Sequence, residues 1–188
     1  MSKLREAFEK GEFAITAEMA PPKGTDLSHL AECAKLVIGR VHAANVTDNQ
    51  SAVMRTSSLA TCKMLKDLGL EPVIQMTGRD RNRIAIESEM LSAGFFGIDN
   101  LLALTGDHVC VGDHKQAKPV FDLDAVSILS TATMMNNGTD STGLELKGKT
   151  DFFLGACVTP EYDPIEVQLL KMEKKIKAGA RFFQTQAV

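Results

Sequence analysis

Residues 101–108 read LLALTGDH, so a short apolar run passes directly into a polar cluster. The same change occurs six times along the chain, and most of the clusters are followed by a helical pattern that ends at glycine. The clusters lie at residues 18–23, 47–50, 77–83, 105–108, 159–163 and 184–186. Strand-to-helix units with polar residues at each strand end are typical of a (β/α) barrel, whose strand-end loops share one rim and form its active site. The pattern therefore predicts an enzyme.

Composition narrows the class of protein. The chain has 188 residues, 44% of them hydrophobic, which suits a single domain spanning residues 1–188. A net charge of −3 and the lack of a broad basic stretch argue against binding to nucleic acid. No apolar run reaches the roughly 20 residues that span a bilayer, and residues 1–11 are charged, unlike a signal peptide. We therefore expect a cytoplasmic protein with no membrane segment.

Hydrophobic periodicity predicts six strands with helices between them. The predicted strands are residues 13–17, 41–46, 72–76, 101–104, 152–158 and 181–186, and helices are predicted at 80–93, 122–135 and 164–178 among others. Asp163 is the predicted N-cap of the last helix, with Pro164 at its first position. Eight such units close a TIM barrel and usually need about 250 residues. The predicted fold is thus an α/β protein, a (β/α)8 TIM barrel of which about six units are present, truncated at its C-terminus.

Two sequence tests argue against folds that need glycine-rich turns. An open, doubly wound six-stranded sheet normally has such a turn after its first strand, and residues 20–24 (APPKG) do not provide one. Residues 143–150 fit the phosphate-loop pattern GxxxxGK[ST], but a helix precedes them and a strand follows, the reverse of the order that this loop requires. We therefore predict no nucleotide site there.

The four cysteines stand far apart, at positions 33, 62, 110 and 157, and form no C-x-x-C pair. Buried free thiols in a reducing compartment are the expected interpretation. His108, Cys110 and His114 carry side chains that bind zinc, but their spacing matches no common zinc motif. No metal site is predicted.

Three arginines, Arg79, Arg81 and Arg83, lie where the third strand passes into its helix. A helix N-terminus is already partially positive, so three cations there are unfavourable unless an anion is held nearby. The cluster therefore favours a phosphate or carboxylate site. The alternative is a solvated turn in which the arginines pair with Asp80 and Glu87.

Two carboxyl groups, Glu18 and Asp107, follow the first and fourth strands at the predicted rim. Glu18 precedes a stiff Pro21-Pro22 exit, and shielding by Met19 would help it to keep a proton near neutral pH and act as a general acid. The alternative for each carboxylate is a loop residue that caps the next helix.

Three strand-end motifs stand out along the chain, namely AEMAPP at 17–22, ALTGD at 103–107, and GA at 179–180 followed by FFQTQ at 182–186. Together they resemble the motifs of the flavin-dependent methylenetetrahydrofolate reductases. They keep the order and spacing of that family over essentially the whole chain. Longer stretches at 45–55, 75–83 and 116–124 resemble the branch found in anaerobes with acetogenic one-carbon metabolism.

The resemblance implies an eight-stranded barrel that binds FAD at its C-terminal rim and reduces 5,10-methylenetetrahydrofolate to 5-methyltetrahydrofolate by hydride transfer. It implies that Glu18 protonates N10 of the folate, that Asp107 contacts the pterin ring and influences the flavin, and that Gln186 hydrogen-bonds the pterin. The implied flavin-pocket residues are Thr47, Gln75, Thr105, Gly106, Asp107, His108, Cys157, Gln168 and Lys175, with Arg79, Arg81 and Arg83 available to the pyrophosphate.

Three positions depart from the family pattern. Gln75 stands where histidine is frequent, Thr105 where arginine is frequent, and Thr159 where tyrosine is frequent. These changes affect the predicted cofactor contacts more than the predicted chemistry.

For the electron source, the resemblance implies NADH, ferredoxin, or a partner subunit that carries zinc or iron-sulfur centres, and an oligomeric protein is expected. Two rival functions stay open at this point. One is a pterin-binding barrel methyltransferase without FAD, and the other is a non-catalytic barrel subunit of a larger redox complex.

Overall fold

A computed structural model describes residues 2–186, in which an initial helix is followed by six strands that alternate with five further helices. The strands are β1 Thr16–Met19, β2 Ala43–Val46, β3 Pro72–Thr77, β4 Asn100–Leu104, β5 Phe153–Val158 and β6 Phe182–Thr185. The helices are α1 Lys3–Lys10, α2 Ser28–Val37, α3 Ser58–Asp67, α4 Arg83–Phe95, α5 Ala125–Asn136 and α6 Ile165–Lys177. Short 3₁₀ turns at Gln50–Ala52 and Val109–Val111 follow β2 and β4.

The strands form one parallel sheet in the order β1-β2-β3-β4-β5-β6. Sequential parallel order is that of a (β/α) barrel, whereas a doubly wound sheet reverses its strand order at a switch point. The parallel α/β prediction is confirmed, and residues 2–186 provide six strands of a partial barrel. Closure into the predicted eight strands is not seen within those residues.

Residues alternate between the two faces of this sheet. The outer face packs on the helices and contains, for example, Ala44, Ile74, Leu101 and Ala156. The inner face has its own apolar cluster, composed of Leu4, Ala43, Val73, Leu102, Phe153 and Phe182. Because the inner cluster occupies the amino-terminal half of the strands, the carboxyl-terminal half remains free for polar side chains.

Helix α1, which the sequence patterns did not predict, covers the amino-terminal end of the inner cluster. Ser2 caps it by accepting a hydrogen bond from the Arg5 backbone N–H, and the Ser2 hydroxyl donates to Asn100 Oδ1 at 2.7 Å. Leu4 is buried in the inner cluster. The helix therefore closes the bottom of the partial barrel, opposite the predicted rim.

Several predicted boundaries are wrong. Strand β1 begins at Thr16 rather than residue 13, and Phe13 is 87% exposed. Helix α4 begins at Arg83 rather than residue 80, with Asn82 as its N-cap, and α5 begins at Ala125 after Asp124. The N-cap position of α6 is Pro164, not Asp163, because the helix begins at Ile165.

The structure also shows where the phosphate-loop pattern and the four cysteines lie. Residues 143–150 lie in the connection from α5 to β5, where no helix follows them, in agreement with the predicted order. All four cysteines are free, but only Cys62 is buried, whereas Cys33 and Cys157 are half-buried and Cys110 is exposed. The expectation of buried thiols is therefore confirmed for Cys62 and wrong for Cys110. Within residues 2–186, no helix has the length and apolar character needed to cross a membrane.

Candidate functional site

A cleft of about 450 Å³ lies at the carboxyl-terminal ends of the strands. Predicted site residues that line it are Glu18, Thr47, Gln75, Arg79, Gly106, Asp107, Cys157 and Gln186. They come from all six strand ends, since parallel strands in sequential order place their carboxyl ends along one rim. The cleft also contains residues that were not named individually as site residues. Of these, Asp48, Asn49, Gln50, Thr77, Gln184 and Thr185 lie in the predicted polar clusters, whereas Ser51 and Leu104 lie outside them.

The floor of the cleft is a polar layer directly above the inner apolar cluster. Asn45 lies beside Glu18 in the register of β1 with β2. The Gln184 side-chain amide donates to Asn45 Oδ1 at 2.7 Å, joining β6 to β2 across the concave face. This bond separates the apolar interior from the cleft.

Glu18 and Asp107 are both exposed in the cleft. Within residues 2–186, neither carboxylate makes a hydrogen bond or an ion pair, so neither serves as a helix cap there. Met19 does not shield Glu18, because Met19 is buried on the opposite face of β1 among the outer-face residues. Both carboxylates are therefore available to a ligand.

Asp48 is the centre of a buried polar network beneath the rim. Its carboxylate accepts from the Thr77 backbone N–H and hydroxyl at 2.8 and 2.9 Å and from both terminal nitrogens of Arg81 at 2.8 Å. Arg81 Nε lies 2.6 Å from Glu89 Oε2. The network ties the end of β2 to the end of β3 and to α4.

Burial and charge act against each other in this network. Burial disfavours the charged form of Arg81, but the hydrogen bonds and charge of Asp48, with the charge of Glu89, outweigh it and raise the pKa of Arg81. Burial raises the pKa of Glu89, with the nearby Asp48 charge adding to the effect and Arg81 partly opposing it. Arg81 is thus held as a cation between two carboxylates.

The arginine cluster does not present three uncompensated cations, and that premise of the sequence analysis is wrong. Arg79 pairs with Asp80 at 2.6 Å, Arg81 with Asp48 at 2.8 Å, and Arg83 with Asp122 at 2.8 Å. Arg79 and Arg81 also precede α4 rather than forming its first turn. The alternative prediction paired the arginines with Asp80 and Glu87. It is correct for Asp80, which pairs with Arg79, whereas Glu87 instead accepts a hydrogen bond from the Ser141 backbone N–H.

A second cavity of about 440 Å³ adjoins the cleft and shares Leu104 and Cys157 with it. It lies between the ends of β4 and β5 and the helices α5 and α6, and it contains the predicted residues Thr105, Gln168 and Lys175. Arg81, Arg83 and His108 line neither cavity. His108 instead accepts from the Cys110 backbone N–H and stacks on Phe121 at 6.3 Å between ring centroids.

The second cavity is cationic on balance. Lys171, Lys174 and Lys175 line it together with one carboxylate, that of Asp124, and no carboxylate in residues 2–186 forms an ion pair with any of the three lysines. Lys175 Nζ donates to the Cys157 carbonyl oxygen at 2.6 Å, and burial lowers its pKa, with repulsion from Lys171 also contributing. An anion in this cavity would be stabilised by all three lysines. The spacing of Gln168, Lys171 and Lys175 on one helix face is the signal that was available in the sequence.

One buried donor in the cleft lacks a partner. Thr47 is 2% exposed, and its hydroxyl oxygen forms no hydrogen bond within residues 2–186. A buried hydroxyl without a partner costs free energy, about 1 to 3 kcal/mol. Because Thr47 lines the cleft, a polar group of a ligand would satisfy it.

Comparison with known proteins gives a family and a fold. A family model described as methylenetetrahydrofolate reductase matches residues 3–188. No curated protein sequence matches the chain. Two crystal structures of 2,3-dimethylmalate lyase, a member of the PEP mutase/isocitrate lyase superfamily, resemble it with TM-scores of 0.65 and 0.62 at 12% and 11% identity. They cover 100% and 99% of this chain, which spans 63% and 64% of theirs, and at this identity the likeness shows the fold alone.

Proposed function

The chain belongs to the methylenetetrahydrofolate reductase family, and we propose that it reduces 5,10-methylenetetrahydrofolate to 5-methyltetrahydrofolate with FAD as its cofactor. The match agrees with the family that the strand-end motifs indicated. The observation that carries the proposal is the meeting of Glu18, Asp107 and Gln186, from three different strand ends, in one polar cleft.

The side chains present fit FAD. The cleft and the second cavity lie side by side and share Leu104 and Cys157 as lining residues, so together they suit a long ligand with one neutral ring system and one anionic part. Thr47, Gln75, Gly106 and Cys157 would hold the ring system in the cleft. Thr105, Gln168 and Lys175, with Lys171 and Lys174, would hold the diphosphate in the cationic cavity.

Glu18 is the proposed acid for N10, and its exposure in the cleft supports this role. When bound and reduced, FAD would supply the hydride that the methylene carbon of the substrate accepts. Before that transfer, Glu18 donates a proton to N10, the five-membered ring opens, and a methylene iminium remains at N5 of the folate. Glu18 is exposed at the rim, so solvent water can return its proton after each turnover. Asp107 and Gln186 would orient the pterin ring by hydrogen bonds.

The experiment that tests this function separates the folate reaction from the electron donor. The purified protein is saturated with FAD, reduced by dithionite without oxygen, and mixed with methylenetetrahydrofolate. We expect flavin reoxidation at a rate that depends on the folate concentration, with an equivalent amount of 5-methyltetrahydrofolate formed. A protein that binds no flavin and forms no methyl product would overturn the proposal.

Removing two of the lysines is expected to weaken FAD binding. Each charge-assisted contact to a phosphate is worth about 1.5 kcal/mol or more, which is about tenfold in affinity. The double change Lys171→Ala and Lys174→Ala should therefore raise the Kd for FAD by about 100-fold if both lysines contact the diphosphate, and by about tenfold if one does. It should also reduce the dependence of the Kd on salt. Lys175 is left in place because it bonds to the Cys157 carbonyl oxygen.

The matched control is Lys177→Ala, on the same helix but paired with Glu173 and outside the cavity. It should leave the Kd for FAD unchanged. Titration of the apoprotein with FAD, followed by flavin fluorescence at two salt concentrations, gives both values. Equal Kd values for the double variant and the control would show that the diphosphate does not bind in this cavity.

A further inference from the structure

Arg79 is an unusual arginine, because its side chain is fully buried beside the cleft, with 2% of the residue exposed. Its Nε and one Nη donate to the two Asp80 carboxylate oxygens at 2.8 and 2.6 Å. Its Nη atoms also donate to the carbonyl oxygens of Asn49 at 3.1 Å and Asp107 at 3.3 Å. These bonds use all but one of the N–H groups of the guanidinium. Little capacity is left for a phosphate.

The partners of Arg79 belong to three consecutive strand-end loops. Asn49 follows β2, Arg79 and Asp80 follow β3, and Asp107 follows β4. Asn49 has a φ of 45°, and Ser51 and Ala52 each have a φ of 56°, in the left-handed region that non-glycine residues rarely adopt. Such a loop keeps its shape only where its surroundings hold it, and the bond from Arg79 to the Asn49 carbonyl is one of those restraints.

The aliphatic stem of Arg79 packs against Gly106. Gly106 has a φ of 91°, and a Cβ at that position would lie 3.1 Å from both Arg79 Cβ and Thr77 Cβ. The stem therefore fixes residue 106, while the guanidinium bonds to the carbonyl oxygen of residue 107. The Asp107 carboxylate has no partner of its own within residues 2–186, so this anchoring acts on the backbone from which the carboxylate extends.

The backbone of the same turn holds the far end of the β4–α5 connection. The Arg79 carbonyl accepts from the Val120 N–H at 2.8 Å, and the Gly78 carbonyl accepts from the Phe121 N–H at 3.1 Å. Arg79 is thus bonded to the residues that leave β4 and to those that return toward α5. Its side chain and main chain together set the geometry of that part of the rim.

We propose that Arg79 is a positioning residue that fixes the Asp107 carboxylate against the folate, and that it is not a ligand of the cofactor diphosphate. The inference rests on the proposed function, which gives Asp107 its contact with the pterin. It replaces the pyrophosphate role that the sequence suggested for Arg79, since the donors needed for that role already bond to Asp80, Asn49 and Asp107.

The test is a double-variant cycle between Arg79→Lys and Asp107→Asn. A lysine keeps the charge but lacks the planar fork that reaches three loops at once. A small displacement of a reacting group costs up to about 100-fold in rate. We therefore expect Arg79→Lys to lower kcat/KM for methylenetetrahydrofolate by about 10- to 100-fold, with the Kd for FAD and its salt dependence unchanged.

In the Asp107→Asn background, the same Arg79→Lys change should have little further effect, because the group that it positions has already been altered. A purely structural role would lower the activity by the same factor in both backgrounds and would overturn the proposal. A raised Kd for FAD with a changed salt dependence would also overturn it and return Arg79 to the diphosphate.

Asp80→Asn provides a second variant in case lysine at position 79 prevents folding. It keeps Arg79 and the heavy atoms of its partner but removes the charge that holds the fork. It should lower kcat/KM by a smaller factor, about 3- to 10-fold. This effect, too, should be absent in the Asp107→Asn background. Failure of the proposed function is distinguishable, since it would appear as absent folate reduction in the unaltered protein.

Discussion

Replacing Glu18 with glutamine is expected to slow folate reduction by about 10²- to 10⁴-fold, the usual effect of removing a positioned general acid. Glutamine has nearly the size of glutamate and still forms hydrogen bonds, but it has no proton to give to N10. Glu18 lies in the cleft without a protein partner in residues 2–186, so the change breaks no ion pair or hydrogen bond there. FAD binding and its reduction by dithionite should therefore be unaffected.

Stopped-flow mixing of the reduced protein with methylenetetrahydrofolate measures the affected step alone. Glu32→Gln on the exposed surface of α2 is the matched control and should react like the unaltered protein. If the reoxidation rate of Glu18→Gln is within about threefold of the control rate, the decrease is far smaller than expected. Glu18 would then not be the acid. The exposed Asp107 would then be the remaining carboxylate among the predicted catalytic residues.

Strands β3 to β6 lie within one residue of their predicted limits, whereas β2 begins two residues later than predicted and β1 three. β3 and β4 are buried on both faces and consist mainly of apolar residues, with Gln75 as the polar exception within the predicted limits of β3. β1 is displaced because Phe13 and Ile15 are apolar yet exposed, so their hydrophobicity does not mark a strand. α1 escaped prediction because it has only eight residues, with Leu4 and Ala7 as its buried positions.

The location of a site residue could be predicted where it depends only on the end of the strand that carries the residue. Glu18, Asp107 and Gln186 needed only the inference that parallel strands share a rim. The arginine premise failed because two of the compensating carboxylates come from other loops. Asp48 is 33 residues from Arg81, and Asp122 is 39 residues from Arg83. Local helix-terminus electrostatics cannot reveal a partner that only the fold brings near.

Arg81→Met is expected to lower the free energy of unfolding by about 3 to 5 kcal/mol, since it leaves buried carboxylates without their cation. The Asp48 side chain is 1% exposed and that of Glu89 is 15% exposed, so water compensates little for the loss. The matched control is Arg83→Met, two residues along the same segment. Arg83 is half exposed and pairs with Asp122 at the surface, so its loss should cost about 1 kcal/mol or less.

The pH dependence of this loss tests its electrostatic cause. Burial already raises the pKa of Glu89 above its ordinary value of 4.5, and removing Arg81 takes away the charge that opposes the rise. When the pKa of a carboxyl is higher in the folded state than in the unfolded state, the folded protein becomes less stable as the pH rises. The loss occurs between the pKa of the unfolded state and that of the folded state. Urea unfolding should therefore show a larger deficit for Arg81→Met at pH 8 than at pH 5, while the Arg83→Met deficit stays small at both. A loss for Arg81→Met that matches its control, or that is the same at the two pH values, would mean that the buried network does not hold the rim together by charge.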